Sequence, residues 1–182
     1  KPDGQIKPCC RFDHRSEQYQ TKTGYAFDEF NTNKDSTLKD AIDSSIWTDI
    51  RRKMLNDEQI PGCWKCYREE DAGDGRSMRT GANDFWYKNL LDVEETNLKF
   101  IELTMGSFCN LKCRTCNGYL STTWLPEENI LSDYYDDRTY IKKPKQIDKE
   151  YQKSDFEDVN LIKFTGGEPM LHPKFESLLD II

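Results

Sequence analysis

The chain of 182 residues has no apolar run approaching the roughly 20 residues that a bilayer-spanning helix needs, so membrane integration is not expected. Positive charge is in deficit. The balance of 26 Lys and Arg against 33 Asp and Glu leaves a formal charge of -7, which argues against a broad nucleic-acid surface. Histidine is nearly absent, with two residues; His14, and His172 beside Pro173, are read as packing or surface groups rather than ligands. No repeat of solenoid period and no low-complexity segment occurs. The opening residues, Lys1-Pro2-Asp3-Gly4, lack an initiator Met and any signal- or transit-peptide character, and both ends read as cuts through a longer protein.

Cysteine, in contrast, is plentiful. Seven residues is an odd number, and they fall in tight local groups rather than at the spacings of a disulfide framework. A reducing cytoplasm with metal ligation is the expectation. The length suits one ordinary core, or one small lobe beside part of a larger one.

From Lys1 to Arg11, Pro and Gly mark a turn or short hairpin leading into Cys9-Cys10. Asp35 and Ser36 can cap a helix carrying Leu38, Ile42 and Ile46, continued by Trp47, Ile50, Met54 and Leu55, with a break at Ser44 or Ser45. Pro61-Gly62 ends that pattern and places Cys63 and Cys66 on a loop that returns toward the first cysteine pair. Residues 71–83 read as irregular, Phe85, Trp86, Leu90 and Leu91 resume an apolar pattern, and a boundary is expected near 92–97. Phe100 to Met105 alternates as a strand, with Ile101, Leu103 and Met105 on one face. Helix-forming stretches interrupted by Pro126 follow, then a charged connection over 136–158. A second strand, Leu161 to Thr165, leads to Gly166-Gly167-Glu168-Pro169 and a helix opened around Pro173 with Phe175, Leu178, Leu179 and Ile182 on its apolar side. This order predicts parallel α/β units with ligand chemistry at the carboxyl ends of the strands. It also puts Glu102 and Lys163 on one face of adjacent strands, within reach of each other.

Cys109, Cys113 and Cys116 form a Cys-x3-Cys-x2-Cys loop directly after the first strand. Three thiolates on one short loop can face a single cluster, and on a four-iron cube they leave one iron free for an outside ligand. On spacing alone, a zinc site or a group of buried cysteines stays open. Together with Gly166-Gly167-Glu168-Pro169 one α/β unit later, the loop resembles the radical SAM family. The resemblance implies a [4Fe-4S] cluster on Cys109, Cys113 and Cys116 whose open iron chelates S-adenosylmethionine, and reductive cleavage to a 5'-deoxyadenosyl radical that abstracts a substrate hydrogen. It implies that Gly166, Gly167, Glu168 and Pro169 form the cofactor-binding turn, glycines leaving backbone groups accessible to the methionine amino end and Glu168 orienting the turn. Thr115 stands where many members have an aromatic residue.

Cys63-Trp64-Lys65-Cys66, with Gly4-x4-Cys9 ahead and Arg76-Ser77-Met78-Arg79 behind, resembles the auxiliary-cluster region of twitch and SPASM members. That implies a second [4Fe-4S] cluster on Cys9, Cys63 and Cys66, with Cys10 as a candidate fourth ligand. The expected architecture is an auxiliary-cluster segment, irregular and helical, over 1–91. It is followed over 98–182 by the first two βα units of a partial radical SAM barrel, with further strands beyond Ile182. The piece alone is expected to be inactive and the parent protein to be a cytoplasmic enzyme. By the same resemblance the substrate is a peptide or protein, and the reductant is of the flavodoxin or ferredoxin kind. A zinc-stabilised binding module and an electron-transfer iron-sulfur protein are the competing classes.

Overall fold

The computed structural model describes residues 4–22, 24–31, 37–89, 97–134 and 150–182. The chain divides into two compact units. One comprises 7–22, 24–29 and 40–89; the other comprises 98–134 and 150–182 together with 4–6, 30–31 and 37–39. The expected caps Asp35 and Ser36, Leu90 and Leu91, residues 92–96 of the expected boundary and 136–149 of the charged connection lie outside the described residues.

In the first unit, a two-residue antiparallel pair, β1 (Gln20–Thr21) and β2 (Gly24–Tyr25), follows the Cys9-Cys10 turn. The helical region is split as expected at Ser44: α1 spans Leu38–Asp43, with residues 38 and 39 counted in the other unit, and α2 spans Ser45–Leu55. Ser44 makes the break because its hydroxyl accepts from the Trp47 N–H and donates to the Ala41 carbonyl, ending one helix and capping the next. Ile50 is buried, but Leu55 is 85% exposed, so the apolar face expected to run on through Met54 and Leu55 stops a turn earlier. Pro61 opens a 3-10 turn, Pro61–Cys63, that continues directly into α3 (Trp64–Glu69). The expectation of a loop here is corrected: proline, lacking an N–H, suits the first turn of a helix as well as it ends one. Cys66 is thus on a helix and Cys63 at its N-terminal boundary. A turn over Glu70–Asp74, broken by Gly73 at φ +84, leads to α4 (Met78–Asn89), whose first half the sequence reads as irregular.

The centre of this unit is aromatic. Phe12, Tyr19 and Phe27 pack with ring centroids 5.1–5.7 Å apart. A Cβ on Gly62 would stand 2.3 Å from Phe12 Cζ, so only glycine admits the ring. The Asp13 N–H also donates to the Gly62 carbonyl at 2.9 Å, and the Trp64 indole N–H donates to Asp13 Oδ2 at 2.8 Å.

In the other unit, β3 (Phe100–Thr104) and β4 (Leu161–Thr165) pair in parallel, with Glu102 opposite Lys163 and Thr104 opposite Thr165. Between them lies α5 (Leu125–Ser132), which has Pro126 in its first turn. The proline starts this helix rather than interrupting it. α6 (Phe175–Leu179) follows β4. Ile101, Leu103 and Met105 are buried with Phe156 and Leu178, and Ile162 and Phe164 pack against them. Leu179 and Ile182, expected on the same apolar side as Leu178, are exposed. The opposite face pairs Phe100 with Leu161 and is polar over its carboxyl half, where the expected contact forms: Lys163 Nζ donates to Glu102 Oε2 at 3.0 Å. The architecture is mixed helix and strand with a parallel α/β pair. No helix among the described residues is long and apolar enough to cross a membrane.

Phe12 is enclosed by Tyr19 and Phe27 and cannot retreat, so Gly62→Ala is expected to destabilise the first unit by about 1–3 kcal/mol. The effect is read as a lower urea midpoint in near-ultraviolet circular dichroism, and an unchanged midpoint contradicts the packing argument.

Candidate functional site

Both motifs lie at the carboxyl ends of the parallel strands, and the strand pairing continues into them. The Met105 N–H donates to Thr165 O at 3.0 Å, Gly167 N–H to Gly106 O at 2.8 Å and Glu168 N–H to Phe108 O at 2.7 Å. The residues leading into Cys109 are therefore laced to the glycine turn. Gly166 has φ +120, and its Cβ would stand 2.5 Å from Gly106 O; a Cβ on Gly167 would stand 2.2 Å from Phe108 O. The glycines are required by this backbone approach, and two amides of the turn are engaged by it, which differs from a turn kept open wholly for a ligand. Glu168 Oε1 accepts from the Met170 N–H at 3.3 Å, closing the 3-10 turn Pro169–Leu171. His172 is buried, its ring 6.5 Å from that of Phe108, and its Nδ1 accepts from the Lys174 N–H.

The cysteine loop is held by residues that sequence reasoning did not single out. Thr122 donates its N–H to Ser107 O at 2.7 Å, and its hydroxyl bonds both the N–H and the carbonyl of Cys109. Ser121 Oγ and Thr123 Oγ1 both donate to Leu111 O, at 2.9 and 2.5 Å, and Trp124 Nε1 donates to Cys113 O at 3.1 Å. Lys112 pairs with Glu127 and lies 5.1 Å from the Trp124 ring centroid. A Ser-Thr-Thr run before a proline-led helix resembles an N-cap signal, yet none of its side chains caps α5; the hydroxyls serve the loop instead.

All seven cysteines are free thiols. Cys113 is exposed, with Cys109 and Cys116 half-buried. The Leu111 N–H donates to Cys109 Sγ at 3.3 Å, and Cys116 Sγ donates to Asn117 O at 3.7 Å. In the other unit Cys63 and Cys66 are buried, whereas Cys9 and Cys10 are exposed. Burial pushes the Cys63 thiol up to about 11, with Cys9 and Cys66 adding to the rise and Arg79 opposing it. Burial also raises Cys9, helped by Cys10 and Cys66. Cys10 Sγ lies 3.5 Å from Met78 Sδ.

Among the described residues, no three His, Cys, Asp or Glu side chains are gathered closely enough to hold a metal ion. The donor chemistry nonetheless suits an iron-sulfur cluster: three unpaired thiols share one loop whose carbonyls at 109, 111 and 113 are already bonded, leaving sulfur as the donor.

No family model matches the chain, and no solved structure matches it. It is similar to curated proteins named GTP 3',8-cyclase. That of Sulfurovum sp. (strain NBC37-1) is 27% identical over 93 residues, 51% of this chain and 25% of the relative. That of Nautilia profundicola is 29% identical over 93 residues, 51% and 26% of the two chains. That of Clostridium botulinum (strain Hall) is 27% identical over 90 residues, 50% and 25%. The matched stretch thus spans about a quarter of these relatives' length. The likeness is at low identity, covers about half of this chain, and is to enzymes by name.

If the laced backbones fix the turn, Gly167→Ala must separate residues 106–108 from 166–168. Amide hydrogen exchange at Glu168 is expected to rise about tenfold, the equivalent of about 1.4 kcal/mol of lost protection. Unchanged exchange would show that the contact is dispensable.

Proposed function

We propose that the chain is part of a radical SAM enzyme, with Cys109, Cys113 and Cys116 holding a [4Fe-4S] cluster. The observation that carries this reading is the loop of three free thiols at the end of a parallel strand, bonded through its lead-in to a Gly-Gly-Glu-Pro turn at the end of the next. When bound, the cluster supplies the electron and the open iron at which S-adenosylmethionine is cleaved to a 5'-deoxyadenosyl radical. The chain's own residues supply positions. Thr122, Ser121, Thr123 and Trp124 hold the loop carbonyls, and Lys112 ties the loop to Glu127. Gly166 to Pro169 form the wall for the methionine end of the cofactor, and Glu168 keeps that wall in shape through Met170. The surrounding architecture is a partial barrel to which β3 and β4 contribute.

A second [4Fe-4S] cluster on Cys9, Cys63 and Cys66, its fourth ligand missing or supplied by Cys10, follows from the twitch and SPASM resemblance, and two of those thiols, Cys63 and Cys66, are buried. The twitch and SPASM resemblance favours a peptide or protein substrate, a flavodoxin- or ferredoxin-like reductant and a cytoplasmic setting. The names of the relatives favour a second reading, a purine nucleotide substrate.

Anaerobic incubation of the full-length protein, reconstituted with iron and sulfide, is the test. S-adenosylmethionine and reductant are expected to yield 5'-deoxyadenosine, and Cys109→Ala, Cys113→Ala or Cys116→Ala to abolish it and lower bound iron. Peptide pools and GTP, added in parallel, separate the substrate readings by which one raises the yield. Zinc with no visible absorption supports the binding-module class; bound iron without 5'-deoxyadenosine supports the electron carrier. Either outcome defeats the proposal.

A further inference from the structure

The residues leading into Cys109 are bonded from two sides. Gly106 O and Phe108 O accept from the Gly167 and Glu168 N–H groups of the glycine turn, at 2.8 and 2.7 Å. The groups that alternate with them go to a single residue, Thr122. Ser107 O accepts from the Thr122 N–H at 2.7 Å, the Cys109 N–H donates to Thr122 Oγ1 at 3.2 Å, and that hydroxyl donates to Cys109 O at 3.3 Å. Successive residues of a strand present their N–H and C=O groups to opposite sides, and 106–109 keep that alternation with the glycine turn on one side and Thr122 on the other. A hydroxyl both accepts and donates, so the Thr122 side chain serves Cys109 as a facing strand residue serves its partner. Thr122 is itself anchored, because it opens the 3-10 turn Thr122–Trp124 that runs directly into α5. The other two cysteines of the loop bond to each other instead, the Cys116 N–H donating to Cys113 O at 3.0 Å.

We propose that Thr122 is a positioning residue that fixes the Cys109 backbone relative to the glycine turn and thereby sets the affinity for S-adenosylmethionine, without being needed for the cluster to assemble. The inference rests on the reading of Cys109, Cys113 and Cys116 as the cluster ligands. A cofactor that touches both the cluster and the turn binds tightly only when the two are held in place beforehand, since ordering them on binding subtracts from the affinity. Cluster assembly is less demanding of the backbone. A thiolate reaches its metal through side-chain rotation, and a small shift at Cys109 leaves three donors on the same short loop. Valine has the shape of threonine but no hydroxyl, so Thr122→Val removes both bonds to Cys109 and keeps the backbone bond from Thr122 N–H to Ser107 O. The loss is confined to the cysteine itself.

The full-length protein and its Thr122→Val, Thr122→Ala and Thr122→Ser versions are reconstituted anaerobically with iron and sulfide. Iron and sulfide content, the dissociation constant for S-adenosylmethionine by equilibrium dialysis, and amide exchange at Cys109 are measured. Thr122→Val is expected to keep its iron, to bind S-adenosylmethionine about tenfold more weakly and to exchange the Cys109 amide about tenfold faster. Thr122→Ser, which restores the hydroxyl, is expected to return both values close to those of the unsubstituted protein. A purely structural support would lower iron content and affinity together. Unchanged affinity in an iron-loaded Thr122→Val, or a Thr122→Ser no better than Thr122→Val, overturns the proposal. Should Thr122→Val fail to fold or to load iron, Thr122→Ala decides: retained iron with weakened binding supports the inference, and retained iron with unchanged binding, or loss of iron here too, overturns it. An unsubstituted protein that takes up no iron, or takes it up and does not bind S-adenosylmethionine, overturns the cluster reading on which the inference rests.

Discussion

The parallel pairing of β3 and β4 does not stop where the strands stop, and the candidate site hangs on that continuation. Met105, Gly167 and Glu168 donate in turn to Thr165, Gly106 and Phe108, joining the cysteine lead-in to the glycine turn over their first residues. The joint admits no side chain: Cβ atoms on Gly166 or Gly167 would fall 2.5 or 2.2 Å from carbonyl oxygens of the opposing segment. Two loops that would otherwise fluctuate separately thereby share one backbone position, which is what a site needs if a cofactor is to touch both.

The cysteine loop bonds one of its own carbonyls, the Cys116 N–H donating to Cys113 O at 3.0 Å, and its other backbone groups still require partners. Ser121, Thr122, Thr123 and Trp124 provide them. The first unit reaches a similar end with ring packing beside one backbone hydrogen bond. There the Phe12 ring against Gly62 and the Asp13–Gly62 bond join the segment after Cys9 to the one before Cys63. In both cases the cysteines sit next to a close contact that only glycine permits.

Local signals made much of this legible. Period-two alternation marked Phe100 to Met105, and β3 forms there with Ile101 and Leu103 buried; Ser44 marked the split between α1 and α2. Proline misled twice, at Pro61 and Pro126, because the residue that stops one helix is equally suited to start the next, and only the following residues decide. The helix over Met78–Asn89 was hidden by Gly81 and by polar side chains with no clean apolar stripe. The hydroxyl supports of the cysteine loop were illegible for another reason. A Ser-Thr-Thr run has the same appearance whether it caps the helix behind it or bonds a loop ten residues ahead, and that choice is tertiary.

The two faces of the parallel pair differ in what they can border. The face with Ile101, Leu103, Ile162 and Phe164 is covered by Phe156 and Leu178 and has no polar group to offer. On the other face Glu102 meets Lys163, and Thr104 Oγ1 lies 3.2 Å from Thr165 Oγ1, so the polar groups are matched across the strands. An exposed ion pair of this kind adds little stability. Its consequence is directional: a face whose side chains are charged yet mutually satisfied can border water or a bound molecule, whereas it cannot be buried against aliphatic groups without a desolvation cost. Because β3 and β4 run parallel, both loops leave the strands at the same end.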